Sequence, residues 1–309
     1  MTKYLVFGHK NPDTDAISAA IAMSYFLEKN GEEAEPVALG PVNDETKFAL
    51  EYFNCNPLRV ISKIDGQVEK VALVDHNEPL QSVEDLSQVQ VDYVVDHHRI
   101  SGFETAQPLF YRAEPIGSTS TILYKMFKEA DIDIPQSIAG LMLSAIISDT
   151  LLFKSPTSTQ QDKDAAIDLA KIADVKLEEY GLKLLKSGTN ILNKSETELL
   201  NSDAKNFEMG GRQVRIGQVN VVDFDDILNR KEALLAQMNQ ELAENNYDLS
   251  LLVITDILES HSICLVQGTE DKYVEQAFNG NITDHMIDLP GVVSRKKQVV
   301  PNLTDAFDK

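Results

Sequence analysis

The chain has 309 residues and carries 49 Asp and Glu against 28 Lys and Arg, a formal net charge of −21. A length above roughly 250–300 residues favours two domains, each with a core of its own. Negative charge of this size repels polyanions over most of the surface, which excludes long nucleic acid as a partner but allows a small phosphate-rich ligand in a locally cationic cleft.

Short β-branched runs alternate with segments of helical period along the first half of the chain. In chain order, the predicted elements are strand 4–7, helix 15–29, strand 36–39, helix 44–53, strands 71–74 and 91–95, and helices 118–129, 134–148, 162–173 and 177–185. This rhythm predicts βαβ units and therefore an α/β domain with a mostly parallel sheet flanked by helices.

A polar stretch at 186–195 interrupts this pattern and is predicted to be a hinge. Beyond it, strands at 213–222, 249–255 and 262–266 and a helix at 228–244 predict a smaller, mixed α/β domain. We therefore divide the chain into an N-terminal domain (1–188), a flexible linker (189–195) and a C-terminal domain (196–309).

Cysteine usage and the N-terminus indicate the compartment. Cys55 and Cys264 lie far apart and outside any C-x-x-C arrangement, which indicates neither a disulfide framework nor a thiolate metal site. Residues 1–8 lack the features of a secretory leader, and no apolar stretch reaches the roughly 18 residues of a membrane span. We expect a soluble, cytoplasmic protein with no membrane partner.

One His and two Asp are packed into the predicted strand-to-helix turn, in the phrase GHKNPDTD that contains His9, Asp13 and Asp15. Ligands of open parallel sheets collect beyond the carboxyl ends of the strands. An ordinary structural role is equally open at this point, because Asp residues commonly cap helix N-termini and His9 could be a plain loop residue.

Two further predicted strands are followed directly by acid and imidazole, at Asp75 with His76 and at Asp96 with His97 and His98. Taken singly, each is more typical of a turn or of a hydrogen-bonded loop residue. Four of the six histidines of the chain nevertheless lie in these three clusters. Three clusters at three strand ends therefore favour one shared site.

Carboxylates and imidazoles without thiolates suit Mn²⁺, Co²⁺ or Mg²⁺, and the histidines favour the first two over Mg²⁺ alone. The number of acids indicates more than one ion. Asp149 follows an apolar helix, where an acid is unfavourable against the helix dipole unless a cation opposes it.

Three consecutive cations, Arg295, Lys296 and Lys297, follow Pro290-Gly291 near the end of this acidic chain. Such a run usually forms a solvated face. Its position also suits a loop that closes over an anion, since Arg offers a planar fork and Lys a point charge to phosphate oxygens.

The motifs GHKNPDTDAI, LVDHNE, VDHHR, SDT and SRKKQ, in this order, resemble the pattern of family II inorganic pyrophosphatases, members of the DHH phosphoesterase superfamily. The resemblance spans essentially the whole chain. Related exonucleases and oligonucleotide phosphodiesterases carry a glycine-rich GGGH-like element, whereas here Arg212 follows Gly210-Gly211.

The resemblance implies a DHH domain joined to a DHHA2-type domain, with two Mn²⁺ per subunit that Co²⁺ can replace. It assigns one ion to His9, Asp13 and Asp75, and the other to Asp15, Asp75, His97 and Asp149. It assigns contacts with the substrate phosphates to four residues, His98, Lys205, Arg295 and Lys296. It also implies a homodimer through the N-terminal domain.

Pyrophosphate hydrolysis needs a strong oxygen nucleophile and relief of charge on both phosphates, which two metal ions provide. The expected mechanism is in-line attack by a metal-bridging hydroxide, with an additional Mg²⁺ entering with pyrophosphate and a mobile C-terminal domain supplying the cationic ligands. Two alternatives are a DHH-type phosphodiesterase acting on short oligonucleotides or a cyclic dinucleotide, and a non-catalytic metal- or phosphate-binding module.

Overall fold

A computed structural model describes residues 3–189 and 191–308. The chain divides into two compact units, one that ends at Gly188 and one that begins at Thr189. Within the described stretches, each helix falls short of the length and apolar character that a membrane crossing requires.

The first unit alternates strands and helices as its sequence pattern predicts. Its strands are β1 (Lys3–Phe7), β2 (Glu33–Ala38), β3 (Arg59–Val60), β4 (Lys70–Val74), β5 (Gln90–Asp96) and β6 (Phe110–Ala113). Its helices are α1 (Thr14–Lys29), α2 (Asp44–Tyr52), α3 (Thr119–Glu129), α4 (Gln136–Thr150), α5 (Gln160–Ala173) and α6 (Leu177–Thr189).

These six strands form one parallel sheet in the order β3-β2-β1-β4-β5-β6. The strand order reverses at β1, so the carboxyl ends of β1 and β4 open side by side. Such a reversal leaves a crevice in which ligands of open α/β sheets bind. The predicted N-terminal parallel sheet flanked by helices is confirmed.

The core of this unit lies along the middle strands and α4. β1 and β4 are buried except at their first residue, and α4 is buried continuously from Ile138 to Ile147. Continuous apolar runs in the sequence therefore correspond to elements covered on all sides. The edge strands β3 and β6 escaped prediction because they are short and their side chains are at least partly exposed.

The second unit is a smaller mixed α/β fold. Its strands are β7 (Ala204–Met209), β8 (Arg212–Val221), β9 (Leu249–Asp256), β10 (His261–Gly268) and β11 (Met286–Pro290). Its helices are α7 (Glu196–Asn201), α8 (Asp225–Leu228), α9 (Lys231–Asn245), α10 (Asp271–Phe278) and α11 (Val300–Phe307). The sheet order is β11-β10-β9-β8-β7, and only the β8–β9 pair is parallel.

β9 is buried over its whole length because apolar clusters cover both faces of this sheet. Leu251 and Val253 belong to the cluster that includes Leu303 of α11, whereas Leu252 and Ile254 pack with the cluster that includes Met238 of α9. The alternation follows from the two-residue period of a strand. The predicted mixed α/β C-terminal fold is confirmed.

Two segments differ locally from their predicted form. The stretch predicted as a polar hinge is partly helical, since α6 continues to Thr189 and a 3₁₀ turn covers Ile191–Asn193. The cationic run predicted as a loop forms a π-helical turn, Arg295–Val299, that continues into α11. Ser294 caps this turn by accepting a hydrogen bond from the Lys297 amide. The flexibility of the linker stays a prediction.

Candidate metal centre

The three acid and imidazole clusters of the sequence meet at the carboxyl edge of the first sheet. They follow β1, β4 and β5, which are neighbours in the sheet. Parallel strands all present their carboxyl ends at the same edge, so side chains that are distant in sequence, such as His9 and Asp75, converge there.

The loop between β1 and α1 is held close to the helix by Gly8. A Cβ at this position would lie 2.5 Å from the Ala16 Cβ, so only glycine permits the approach. The loop then places Asp13 at the N-cap of α1, where its Oδ1 accepts from the Ala16 amide at 3.0 Å. The other oxygen, Oδ2, lies 3.4 Å from His9 Nε2. Capping and a ligand geometry are therefore both present in one carboxylate.

Asp75 occupies the centre of the cluster and is 1% exposed. Its backbone is left-handed (φ +58°), and its amide donates to the Val95 carbonyl at 2.9 Å. Its Oδ2 lies 3.5 Å from His9 Nε2, whereas its Oδ1 lies 3.3 Å from His97 Nε2. The two oxygens of one carboxylate thus face two different imidazoles.

The N-terminus of α3 holds Asp15 in place. The amides of Thr119 and Ser120 donate to the Asp15 carboxylate at 2.6 and 3.1 Å, and Ser120 Oγ donates at 2.6 Å. Thr119 Oγ1 also donates to Asp75 Oδ1 at 3.1 Å. These donors orient both carboxylates, as outer partners of metal ligands commonly do.

His97 is oriented by the backbone, because its Nδ1 donates to the Ile116 carbonyl at 3.0 Å. The Nε2 atom is thereby directed toward Asp75. His9 has the same arrangement, with Nδ1 bonded to the Lys10 carbonyl at 2.8 Å and Nε2 toward the cluster. A backbone acceptor on one ring nitrogen is the arrangement expected of a metal-binding imidazole.

Asp149 lies in the last turn of α4, where its Oδ2 is buried and lacks a hydrogen-bond partner among the described residues. Burial, followed by repulsion from Asp15, Asp75 and Asp13, holds the pKa of this carboxyl well above its usual range. An unmatched buried carboxylate beside other acids is costly, and a divalent cation relieves that cost.

Among the described residues, three sets of side chains could each hold a metal ion. Within each set, the potential ligand atoms lie within 4.8 Å of one another. The sets are His9 with Asp13 and Asp75, Asp15 with His97 and Asp149, and Asp75 with His97 and His98. The first two sets contain all six residues predicted to bind metal. Their oxygen and imidazole donors fit Mn²⁺ or a similar divalent ion.

In the absence of cations the cluster retains protons. Burial lowers the pKa of His9, but hydrogen bonds with Asp13 and Asp75 outweigh it and raise the pKa to about 11. Burial likewise lowers the pKa of His97, and Asp75 raises it to about 9. Burial and the charge of Asp75 raise the pKa of Asp15 to about 6. Cation binding must therefore displace protons.

His98, the predicted phosphate contact in this unit, is about half exposed at the rim of the cluster. Its Nδ1 lies 2.9 Å from Asp96 Oδ1, and the buried Asp96 also accepts from Asn77 Nδ2 at 2.6 Å. Burial raises the pKa of Asp96, but the hydrogen bonds from His98 and Asn77 outweigh it and lower that pKa. Asp96 is therefore an anchor that holds His98.

Sequence reasoning missed the roles of Asp96, Thr119 and Ser120. Asp96 stands directly before the two predicted histidines, so its position at the end of β5 was the available signal. Ser118-Thr119-Ser120 is a run of hydroxyl residues at a predicted helix start, which indicates a cap but not what the cap would face.

The three other predicted phosphate contacts lie in the second unit. Lys205 is exposed on β7 and pairs in register with Ile216 on β8. Arg295 is buried and donates to the Ile216 carbonyl at 3.4 Å, so Lys205 and Arg295 approach the same residue. Lys296 is exposed, as is its neighbour Lys297.

Arg295 already has internal partners. Its Nη2 donates to Asp203 Oδ1 at 2.8 Å, its Nη1 donates to the Asp203 carbonyl, and its amide donates to Gln218 Oε1 at 2.9 Å. Gln298 braces the start of the same turn by accepting from the amides of Val293 and Ser294 at 2.9 and 3.0 Å. The guanidinium is thus fixed in place by its own unit.

Comparison with known proteins identifies the family of this chain. The model of the DHH family, N-terminal domain, matches residues 3–146, and that of the DHHA2 domain matches residues 182–306. The chain is 59% identical over 308 residues to the "Probable manganese-dependent inorganic pyrophosphatase" of Lactiplantibacillus plantarum, with 100% of both chains covered. It is 55% identical over 307 residues to the "Manganese-dependent inorganic pyrophosphatase" of Bacillus subtilis, with 99% of both covered.

A solved structure has a similar fold over the same length. The crystal structure of a "putative family II inorganic pyrophosphatase" from Methanococcus jannaschii matches with a TM-score of 0.61 and 39% identity. The match covers 99% of this chain and 100% of that one.

Proposed function

Because the chain belongs to the family of manganese-dependent inorganic pyrophosphatases, which are hydrolases, we propose that it hydrolyses inorganic pyrophosphate to two phosphates at a centre of two divalent ions. The observation that carries the two-ion centre is Asp75, whose two oxygens face separate imidazoles at 3.5 and 3.3 Å. A carboxylate placed in this way is suited to bridge two cations.

His9, Asp13 and Asp75 hold one ion in this proposal, and Asp15, Asp75, His97 and Asp149 hold the other. Mn²⁺ is the expected ion, Co²⁺ can substitute for it, and an additional Mg²⁺ enters with pyrophosphate. Bound divalent ions supply Lewis acidity to phosphoryl oxygens and lower the pKa of coordinated water. Two observations support this assignment. A cation would give the Asp149 Oδ2 atom a partner, and it would replace the protons that the raised pKa values keep on His9 and His97.

His98 contributes a proton or a hydrogen bond to a substrate oxygen. Asp96 accepts from its Nδ1, so the opposite ring nitrogen, Nε2, is available to the substrate at the exposed rim. A positioned imidazole of this kind contributes to phosphoryl transfer by holding a proton at a defined place.

Lys205, Arg295 and Lys296 bind the phosphate oxygens and neutralise their charge. Arg295 enters this role preorganised, because Asp203 and the carbonyl of Ile216 fix its guanidinium. The C-terminal unit is mobile in the proposal and delivers these cations to pyrophosphate bound at the metal centre. The division of the chain into two compact units supports such movement.

The proposal extends to a cytoplasmic location and a homodimer formed through the N-terminal unit. Light scattering of the full chain tests the dimer, and a mass equal to that of one chain would contradict it.

The activity is tested by removing metal with a chelator, restoring Mn²⁺, and offering pyrophosphate or a dinucleotide. We expect phosphate release from pyrophosphate, dependent on two Mn²⁺ per chain, and no cleavage of the dinucleotide. Cleavage of the dinucleotide in place of pyrophosphate would establish a phosphodiesterase, and metal binding without any turnover would establish a binding module.

A further inference from the structure

A partly buried acid that belongs to none of the proposed ligand sets connects two of the helix ends that carry proposed ligands. Glu45, in the first turn of α2, accepts with its Oε1 from Thr14 Oγ1 at 2.7 Å and from Ser148 Oγ. Thr14 stands between Asp13 and Asp15, and Ser148 directly precedes Asp149. One oxygen atom therefore joins the start of α1 to the end of α4.

The surroundings of Glu45 restrict its movement. Thr14 Oγ1 also lies 3.1 Å from Thr46 Oγ1, next to Glu45 on α2. On the opposite side, a Cβ built at Gly188 of α6 would lie 3.1 Å from Glu45 Oε2 and 3.2 Å from its Cβ. The last turn of α6 thus closes over this side chain just before the chain leaves the first unit.

We infer that Glu45 is a positioning residue that sets the Mn²⁺ affinity of the centre by holding the ends of α1 and α4 at a fixed separation. The inference rests on the proposed function. Helix ends fray readily, and the ligands Asp15 and Asp149 belong to helices that meet only through tertiary contacts. A shared acceptor between their neighbouring hydroxyls removes that freedom before a cation arrives.

The two ions should depend on Glu45 unequally. Two ligands of the set with Asp15, Asp75, His97 and Asp149 are sequence neighbours of the hydroxyls that Glu45 binds. Asp15 follows Thr14, and Asp149 follows Ser148. The set with His9, Asp13 and Asp75 has one such neighbour. Loss of the tether should therefore weaken the first of these ions more than the second.

Replacing Glu45 with Ala and with Gln separates positioning from charge. Gln keeps an oxygen that accepts from both hydroxyls, whereas Ala removes the acceptor. Titration of metal-free protein, with free Mn²⁺ counted by electron paramagnetic resonance, should show about 10- to 100-fold weaker binding of one ion in Glu45→Ala. Glu45→Gln should restore most of the affinity, and KM for pyrophosphate at saturating Mn²⁺ should stay near the wild-type value in both.

Glu51→Ala is the matched control, since Glu51 lies on the same helix with its side chain 69% exposed. Its Mn²⁺ affinity should equal that of the wild type. Gly188→Ala perturbs Glu45 from the far side and should weaken the same ion. If Glu45→Ala fails to fold in thermal melts, Thr14→Val and Ser148→Ala each remove one donor and should reproduce the loss.

Three results separate the possible failures. Equal losses in Glu45→Gln and Glu45→Ala would mean that the charge matters and not the tether, which overturns the inference. Unchanged affinity in Glu45→Ala, or in both donor variants, overturns it as well. A wild type that binds fewer than two Mn²⁺ or leaves pyrophosphate intact would instead refute the proposed function itself.

Discussion

Replacing Asp75 with Asn removes one charge from the middle of the centre and leaves its shape almost unchanged. Asn tolerates the left-handed backbone found at this position (φ +58°), so the chain should fold. In the metal-free protein the substitution relieves repulsion from Asp15 and Asp149, but it also removes the charge that faces His9 and His97. These two effects on the metal-free protein oppose each other, so metal binding and turnover should change more than the melting temperature.

The magnitude follows from burial. The Asp75 side chain is 1% exposed, so solvent screens its charge little. Removing one partner of a buried ion pair costs about 3–5 kcal/mol, equivalent to about two to three and a half decades in affinity at 1.4 kcal/mol per decade. Because each oxygen faces a different ligand set, we expect both ions to weaken and most activity to disappear.

The two affinities are measured by titrating metal-free Asp75→Asn with Mn²⁺ and determining the free Mn²⁺ by electron paramagnetic resonance. Asp13→Asn is the matched comparison, because among the described residues Asp13 belongs only to the set with His9, so its loss should weaken one ion more than the other. Unchanged stoichiometry and turnover in Asp75→Asn, or the loss of a single ion in both variants, would refute the bridging role.

Arg295→Ala and Lys296→Ala each remove a proposed charge-assisted phosphate contact, for which a loss of about 1.5–3 kcal/mol or one to two decades in kcat/KM is typical, and Mn²⁺ stoichiometry should stay unchanged. Lys297→Ala should cost less, and equal damage from it in kinetic assays would contradict the assignment. The stabilisation of the metal-free protein by protonated His97 is complete below its unfolded pKa of 6.5 and is lost as pH rises through about 9. Ionisation of Asp149, whose pKa is raised, destabilises that state further. The rise in Tm caused by Mn²⁺ should therefore increase from pH 6.5 toward 9 in scanning fluorimetry, and a constant rise would contradict the coupling.

The sequence predicted the parts of the fold and of the site that depend on local pattern. β4 and β5 are buried apolar runs ended by acid and imidazole, so their position and chemistry were visible together. Asp13 caps α1, as its structural interpretation predicts, and its other oxygen faces His9, whereas its role as a metal ligand stays a prediction.

Long-range partners could not be predicted in this way. Glu45 looks like an ordinary acid in the first turn of a helix, and only the tertiary fold brings Ser148, 103 residues away, to its carboxylate. The pairing of Arg295 with Asp203 spans 92 residues and has no local signature. The edge strand β3 has two exposed residues and too little pattern to detect.

The convergence of the proposed ligands at the ends of β1, β4, β5 and α4 also bears on folding kinetics. His9 and Asp149 stand at opposite ends of a long segment whose parallel strands must pair before the cluster exists, and such non-local pairing is slow. Interactions that form after the transition state alter unfolding rates and leave folding rates nearly unchanged. Bound Mn²⁺ should therefore slow the unfolding of the native chain and leave its folding rate nearly unchanged.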